Sequence, residues 1–288
     1  MKQLTIVSGK GGTGKTTVTA AFTTLSDSHV IADCDVDAAD LHLILDPATT
    51  KREQFFGGKT AQLDREKCQQ CDACVQVCRF HAIEDYTIDP ISCEGCGVCV
   101  LACPEGAISM EQHMSGHWFV SDSRYGPMIH ASLGIGEDNS GKLVSIVRQK
   151  ARLIAERDNK KCIIIDGPPG IGCPVIAAIT GVDLVLAVTE PTLSGIHDLE
   201  RVVSVANHFK VPVAVVINKY DINTDNSYQI EQYCAKKNLK VTGKIPYNQC
   251  VTKAMVNRQS VIEYNCGEVT QEIKGIWTNV LQTLNQQH

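Results

Sequence analysis

Short apolar runs alternate with longer amphipathic stretches through most of the chain. Six runs are rich in Val and Ile and nearly uninterrupted, and they predict strands at residues 4–8, 29–33, 162–166, 183–189, 211–218 and 240–246. Such runs are typical of parallel strands that are covered on both faces. Helical spacing predicts helices near residues 15–26, 141–157, 172–180, 194–208, 226–238, 248–257 and 268–285. This alternation of strand and helix predicts an α/β fold with a doubly wound, mostly parallel sheet.

Residues 58–113 break the alternation. They contain eight Cys and an internal repeat, in which CQQCDACVQVCRFHAI (68–83) returns as CEGCGVCVLACPEGAI (93–108). FFGGK (55–59) predicts a linker into this segment, and MSGH (114–117) predicts the linker out of it. We therefore expect a small α+β domain at 58–115, inserted between the two parts of a larger domain at 1–57 and 116–288.

Composition narrows the classes of function. The chain has 288 residues, of which 43% are hydrophobic, and a net charge of -5, so no basic surface for nucleic acid is expected. Its first residues enter a strand-like run without a signal peptide, and no window approaches the roughly 18 apolar residues of a membrane span. We expect a cytoplasmic protein with no membrane partner. Its fourteen Cys should then be metal ligands and buried thiols rather than disulfides.

A phosphate-binding loop follows the first predicted strand and opens a helix. Gly9–Thr16 reads G-K-G-G-T-G-K-T, which fits the P-loop pattern. Lys15 should reach the outer phosphates of ATP and Thr16 should hold Mg²⁺, whereas a glycine-rich turn without a ligand is the alternative. The nucleotide-binding residues expected here are Gly9, Lys10, Gly11, Gly12, Thr13, Gly14, Lys15, Thr16 and Thr17.

Two acidic segments complete the predicted site. CIIIDGPPG (162–170) is a strand that ends in Asp166, the position of a Walker B carboxylate beside Mg²⁺. Residues 167–170 predict a stiff switch segment. IADCDVDAADL (31–41) follows the second strand and contains Asp33 and Asp35. Asp37 and Asp40 are expected only at the surface or at a helix start.

The Cys spacing predicts iron–sulfur clusters. Both repeats read C-x2-C-x2-C-x3-C, the spacing of bacterial two-cluster ferredoxins, in which the fourth Cys of each run binds the other cluster. The first [4Fe–4S] cluster is then held by Cys68, Cys71, Cys74 and Cys103. The second is held by Cys93, Cys96, Cys99 and Cys78. Zinc is the alternative, but two complete repeats argue against it. Pro104 follows the second run of Cys, whereas Arg79 stands at the equivalent position of the first run, with no loss of a ligand.

The chain resembles the MinD/ParA/Mrp superfamily of deviant Walker A P-loop ATPases, and within it the members with an inserted two-cluster ferredoxin domain. The P-loop with its additional Lys10, the eight Cys and the stretches 123–144, 165–177 and 188–202 carry this resemblance. It implies an ATPase in which Lys10 crosses the interface of an ATP-dependent homodimer. It also implies that Asp35 orients the attacking water, Asp33 supports the Mg²⁺ shell and Asn218 contacts adenine. The simpler alternatives are a solvated loop lysine for Lys10 and a turn residue for Asn218.

Six Cys lie outside the repeats. Most are expected to be small buried hydrophobic residues. Cys173 follows the switch segment, where the nitrogenase iron protein, a relative by the same resemblance, has a Cys that binds a cluster on its dimer axis. A bridging metal site at Cys173 is therefore one hypothesis. A packed thiol is the alternative, because a second ligand of that type has no match here.

Together these features predict an ATP-gated dimeric switch coupled to a ferredoxin module. Three purposes fit the sequence: assembly of a metal or iron–sulfur cofactor, ATP-gated electron transfer like that of the nitrogenase iron protein, and positioning of the ParA/MinD type. The wider family slightly favours cofactor assembly, with the clusters supplying its electrons. A protein partner for redox chemistry or cofactor assembly follows from either of the first two.

Overall fold

The structure, a computed structural model, describes residues 1–134, 137 and 140–286. Ile135, Gly136, Asp138 and Asn139, which belong to the family stretch at 123–144, lie outside the described residues. Contacts divide the chain into two units. We call residues 1–52, 118–132 and those from 140 onward the sheet unit, and residues 53–117 and 133–139 the cysteine unit.

All six predicted strands are present in the sheet unit. They are β1 (Lys2–Ser8), β2 (His29–Asp33), β8 (Cys162–Pro169), β9 (Leu184–Thr189), β10 (Val213–Asn218) and β11 (Lys240–Ile245). The remaining strands of the same sheet are β3 (Ala48–Leu63), β6 (Ile108–Ser123) and β7 (Gly126–Leu133). The strand order is β11-β10-β9-β1-β8-β2-β7-β6-β3, and every pair from β11 to β7 is parallel. The α/β fold with a mostly parallel sheet is confirmed.

Helices cover this sheet. They are α1 (Lys15–Leu25), α2 (Leu41–Leu45), α5 (Ser140–Arg157), α6 (Cys173–Ile179), α7 (Leu193–His208), α8 (Thr224–Lys236), α9 (Gln249–Val256) and α10 (Glu268–Asn285). A 3₁₀ turn lies at Tyr220–Ile222. Phe22 of α1 packs against Trp277 of α10 with ring centroids 4.7 Å apart. Among the described residues, no helix is long and apolar enough to cross a membrane.

The two predicted linkers are wrong as linkers. FFGGK (55–59) lies inside β3 and MSGH (114–117) lies inside β6, so the chain passes between the units within two long strands. Gly57 lies within β3, where a side chain would collide with the Phe55 ring and approach Ser115 closely. Close packing, rather than a turn, requires glycine at this position.

The cysteine unit contains short elements only, apart from its parts of β3, β6 and β7. They are α3 (Ala73–Val77), β4 (Ile83–Glu84), β5 (Thr87–Ile88) and α4 (Val98–Ala102), with β4 antiparallel to β5. Its small core contains Ala61, Ile83 and Ile108, against which several of the Cys pack. So small a core leaves much of this unit's stability to other interactions.

Candidate nucleotide site and cysteine unit

The phosphate loop connects β1 to α1 in the backbone conformation that the glycine pattern requires. Gly12 and Gly14 have φ of 79° and 90°, the left-handed region that a side chain disfavours. A side chain at Gly14 would also meet the Asn218 amide, and one at Gly9 would collide with Asp198. The loop therefore places backbone N–H groups at the N-terminus of α1, where they can bind phosphate.

Lys15 is the first residue of α1 and is only 6% exposed. Its Nζ lies 3.0 Å from Asp35 Oδ2 and 3.3 Å from Asp166 Oδ1. The Thr16 hydroxyl donates to Asp166 Oδ2 at 2.8 Å. Asp33 lies close by and accepts from the Asp35 backbone N–H at 3.2 Å. The structure thus brings together the three carboxylates, the lysine and the threonine that the sequence assigned to one site.

The electrostatics of this cluster show a shortage of positive charge. Burial raises the pKa of Asp33 well above its ordinary value, and the charge of Asp166 adds to the effect. Burial also raises the pKa of Asp35, although Lys15 opposes it. Burial alone would lower the pKa of Lys15, but Asp166 and Asp35 outweigh it and raise that pKa. Three carboxylates surround a single ammonium group, so the charge balance of the cluster favours binding of a further cation.

Two buried oxygen atoms in the site have no hydrogen-bond partner. They are Asp33 Oδ2 and Thr13 Oγ1. Unpaired buried polar atoms are costly, and in a native structure they call for an explanation such as an ion or ligand. The donor set of Asp33, Asp166 and Thr16 is all oxygen, which suits Mg²⁺. The residues present therefore fit a magnesium-bound phosphate.

A cavity of about 420 Å³ opens beside the phosphate loop, a size suited to a small-molecule ligand. Gly11–Thr17 and Asp35 line one side of it. The opposite wall is more apolar and includes Tyr247, Val251, Met255 and Ile273. Asn218 also lines the cavity, and its Nδ2 donates to the Thr13 carbonyl at 2.7 Å. Its predicted contact with adenine stays a prediction.

Lys10 is held within its own chain rather than surrounded by water. Its Nζ lies 2.6 Å from Oε1 of Glu190, which directly follows β9, and 3.1 Å from Oγ of Ser194 in the first turn of α7. Glu190 also pairs with Lys219 at 3.3 Å. Burial alone would raise the pKa of Glu190, but the hydrogen bonds from Lys10 and Lys219 lower it. Lys10 is thus partly exposed and ion-paired within its own chain, and its predicted contact across a dimer interface stays a prediction.

The remaining predicted positions are near the site but make fewer contacts. Gly170 has φ of 90°, and its N–H donates to the Ser8 carbonyl at 2.9 Å, which ties the switch segment to β1. Asp37 is exposed, whereas Asp40 precedes α2 without a side-chain capping bond and lines the cavity. Cys173 is exposed at the start of α6, so a fully packed thiol is wrong there.

The eight Cys of the cysteine unit line two separate small cavities, each of about 20 Å³. The first is lined by Cys68, Cys71, Cys74 and Cys103. The second is lined by Cys78, Cys93, Cys96 and Cys99. The fourth Cys of each run therefore lies with the other run, the same exchange that the sequence spacing predicts.

The internal repeat extends to the backbone. Left-handed φ angles recur at equivalent positions, in Gln70, Asp72 and His81 of the first repeat and in Gly95, Gly97 and Gly106 of the second. In each repeat a backbone N–H donates to the sulfur of the fourth Cys, from Ala82 to Cys78 at 3.4 Å and from Ala107 to Cys103 at 3.3 Å. Such donors are typical of thiolate ligands, whose negative charge they stabilise.

Among the described residues, no group of three or more His, Cys, Asp or Glu side chains is arranged to hold a single metal ion. A zinc ribbon needs four sulfurs that converge on one ion. A four-iron cluster differs because each thiolate binds its own iron, so the sulfurs surround a volume instead of a point. The two [4Fe–4S] clusters stay a prediction, as does the alternative of zinc.

Sequence reasoning missed three functional features. Cys250 and Cys266 form a disulfide, so the prediction that Cys outside the repeats are thiols is wrong for this pair. Glu190, which pairs with Lys10, and Lys219, which pairs with Glu190, were given no role. Both lie directly after parallel strands, β9 and β10, at the sheet edge where ligands bind in such folds, and that position is the signal that could have found them.

Comparisons with known proteins agree with this geometry. The sequence profile of the CobQ/CobB/MinD/ParA nucleotide binding domain matches residues 4–261. The uncharacterized protein MJ0578 of Methanocaldococcus jannaschii is 33% identical over 278 residues, which cover 96% of this chain and 95% of that protein.

Two solved structures share the fold. The cell division ATPase MinD of Pyrococcus furiosus has a TM-score of 0.59 at 16% identity and covers 98% of both chains. The septum site-determining protein MinD of Pyrococcus horikoshii, complexed with Mg-ADP, has a TM-score of 0.58 at 16% identity and covers 97% of this chain and 95% of that one. At this identity the likeness shows the fold alone.

Proposed function

The chain belongs to the CobQ/CobB/MinD/ParA family of nucleotide-binding domains, and from this premise we propose that it is a Mg²⁺-dependent ATPase that controls an iron–sulfur electron-transfer unit. The observation that carries the second part is the exchange of one Cys between two Cys-lined cavities. The first part is supported by the cluster of Lys15, Asp35 and Asp166 beside the phosphate loop.

In the proposed nucleotide site, the loop N–H groups and Lys15 bind the phosphates. Thr16, Asp33 and Asp166 would hold Mg²⁺, which neutralises phosphate charge when it is bound. Asp35 would orient the attacking water, since its carboxylate is set free when Lys15 turns from it toward phosphate. Lys10 would leave Glu190 and contact the nucleotide of a second copy. The Mg-ADP complex of the Pyrococcus horikoshii relative supports a magnesium nucleotide in this fold.

In the cysteine unit, the two sets of four Cys would hold two [4Fe–4S] clusters, which supply one-electron transfer when bound. The Ala82 and Ala107 N–H donors and the apolar surroundings of the sulfurs support this assignment. Each set offers four Cys and is complete without another ligand. Clusters held in this way stay with the chain, so electron transfer suits the geometry better than delivery of the clusters. The thiolates require a reducing compartment, and we place the protein in the cytoplasm.

A second candidate is the assembly of a metal or iron–sulfur cofactor on a partner protein. The exposed thiol of Cys173, which lies outside both sets of four, favours it. A third candidate, positioning of the ParA/MinD type, is supported by the family and by the MinD fold, but it leaves the two Cys-lined cavities without a role.

One anaerobic experiment separates these functions. The full chain is reconstituted, iron and labile sulfide are counted, and the clusters are titrated by EPR with and without Mg·ATP. Electron transfer predicts about eight irons per chain and a midpoint potential that ATP shifts by about 60 mV or more, a tenfold change for a one-electron couple. Lys10→Ala should keep the irons, because Lys10 lies outside the cysteine unit, and should lose the shift, because it removes the proposed contact to the second copy.

The other outcomes decide against the proposal. Bound zinc without iron would exclude all cluster chemistry. Eight irons with a potential independent of ATP would exclude the control of electron transfer by nucleotide. Additional iron that disappears in Cys173→Ala, and that moves to an apo-acceptor when ATP is added, would establish cofactor assembly instead.

A further inference from the structure

Cys250 and Cys266 join two helices that bound the nucleotide cavity. Cys250 is the second residue of α9, and Cys266 lies two residues before α10. Their Cα atoms are 5.6 Å apart and their sequence separation is 16 residues. Cys266 is 4% exposed, whereas Cys250 is partly accessible.

The residues that follow each Cys form the apolar wall of the cavity. Val251 and Met255 of α9 line it, as do Val269 and Ile273 of α10. Cys266 belongs to the same buried cluster as Val269 and Ile273, and Cys250 and Val251 pack against that cluster. The sulfur bridge therefore fixes the spacing of the two helices that face a bound nucleotide.

The backbone on both sides of the bridge is held by short hydrogen bonds. The Cys250 N–H donates to Asn248 Oδ1 at 2.8 Å, which caps α9. The Cys266 N–H donates to Thr270 Oγ1 at 2.8 Å, and that hydroxyl donates to the Val261 carbonyl. Hydrogen bonds thus connect Cys250 to the start of α9 and Cys266 to the start of α10. Breaking or forming the sulfur bridge should therefore alter the positions of the two helices that line the cavity.

We propose that Cys250 and Cys266 are a reversible thiol–disulfide switch that sets the affinity of the cavity for nucleotide. The pair is bridged in the structure, and the partly accessible Cys250 sulfur lets a dithiol of a reducing compartment open the bridge. The inference rests on the proposed nucleotide site and on the reducing compartment inferred under the proposed function.

The chemistry requires a dithiol or its disulfide as the reactant. A thiolate of the dithiol attacks the more accessible Cys250 sulfur, the bridge breaks and the Cys266 thiolate leaves. The second thiol of the reactant then displaces Cys250. The products are two Cys thiols, which take up the two protons of the reactant, and one oxidised dithiol.

The direct test compares Mg·ADP binding to the oxidised and reduced full chain by calorimetry under anaerobic conditions. Alkylation followed by mass spectrometry verifies the state of the pair. The oxidised form should bind about fivefold or more tightly, because its wall is already fixed in the binding geometry. Equal dissociation constants, or tighter binding by the reduced form, would overturn the switch. Failure of both forms to bind would instead contradict the proposed nucleotide site.

Thermodynamic linkage supplies a second readout. In a glutathione buffer, saturating Mg·ADP should shift the thiol–disulfide equilibrium of the pair toward the disulfide by the same factor. The double variant Cys250→Ser with Cys266→Ser should bind Mg·ADP like the reduced chain under both conditions. The control variant Cys234→Ser removes a buried free thiol of α8 and should keep the difference in Mg·ADP affinity between the oxidised and reduced chains. If the double variant does not fold, two measurements on the wild type still test the switch: the Mg·ADP affinity of the oxidised and reduced chains, and the shift of the thiol–disulfide equilibrium by Mg·ADP.

Discussion

Glu190 should act as a latch that keeps Lys10 within its own chain. The Lys10 ammonium lies 2.6 Å from the Glu190 carboxylate, and the two side chains are 32% and 16% exposed. If Lys10 must reach a second copy when ATP binds, this ion pair has to break first. Replacing Glu190 with Gln keeps the shape of the side chain but removes its charge, so dimerisation with ATP should become more favourable.

The size of the effect follows from the geometry. A partly exposed ion pair of this kind contributes about 1 kcal/mol. A symmetric dimer breaks two such pairs, one in each copy, so the variant should gain about 2 kcal/mol in dimerisation. This corresponds to a dimer dissociation constant that is about thirtyfold lower. Lys219 loses the same partner but keeps its bond to the Gly12 carbonyl, so the phosphate loop should be little affected.

Sedimentation equilibrium with Mg²⁺ and a non-hydrolysable ATP analogue measures this constant. Glu156→Gln is the matched control, because it removes an exposed ion pair with Arg152 on α5. In a Lys10→Ala background, Glu190→Gln should leave the dimer dissociation constant unchanged, since the ion pair with Lys10 is already absent. An unchanged or weaker dimer in the Glu190→Gln single variant would refute the latch and would mean that Glu190 serves the dimer itself.

Three further predictions follow from individual residues. Cys74→Ser and Cys103→Ser, although 29 positions apart in the printed sequence, should remove the same cluster and leave about four of eight irons, measured by iron analysis and EPR. Gly14→Ala should abolish Mg·ADP binding in calorimetry, because a side chain at φ 90° is strained and meets the Asn218 amide. Burial lowers the pKa of His29 from 6.5 to about 4, so the folded protein keeps it neutral. The stability that depends on this neutral form is lost as the pH falls from 6.5 toward 4, by about 1.4 kcal/mol per pH unit. In urea unfolding, His29→Gln should show a correspondingly smaller loss than the wild type.

The strands that could be predicted are those that the sheet buries on both faces. The HVIAD run of β2 is fully buried, and its bounds coincide with the prediction because the run is short and its apolar centre includes β-branched Val30 and Ile31. β3 and β6 were missed because their exposure is mixed and their sequences are polar and contain glycine. Their backbone pairing is long-range, and no local pattern of residues indicates it.

The candidate site likewise has parts that the sequence predicts and parts that it does not. Local spacing is enough for the phosphate loop and for the exchanged Cys, because both depend on short motifs with one geometric solution. The contact of Lys10 with Glu190 joins residues that are far apart in sequence, and it depends on the pairing of β1 with β9. The bridge between Cys250 and Cys266 has no motif at all, and disulfide connectivity cannot be deduced from sequence alone.

The strand order explains why one nucleotide could affect so many elements at once. β1 lies between β8 and β9, so its phosphate loop meets Asp166 on one side and Glu190 on the other. Asp35 follows β2, the next strand, and the chain then enters β3 and leaves the sheet unit. A phosphate that draws Lys15 away from Asp35 therefore changes the charge balance on the segment that leads into the cysteine unit. Insertion at this point connects the cysteine unit covalently, through α2 and β3, to one of the two carboxylates that Lys15 contacts.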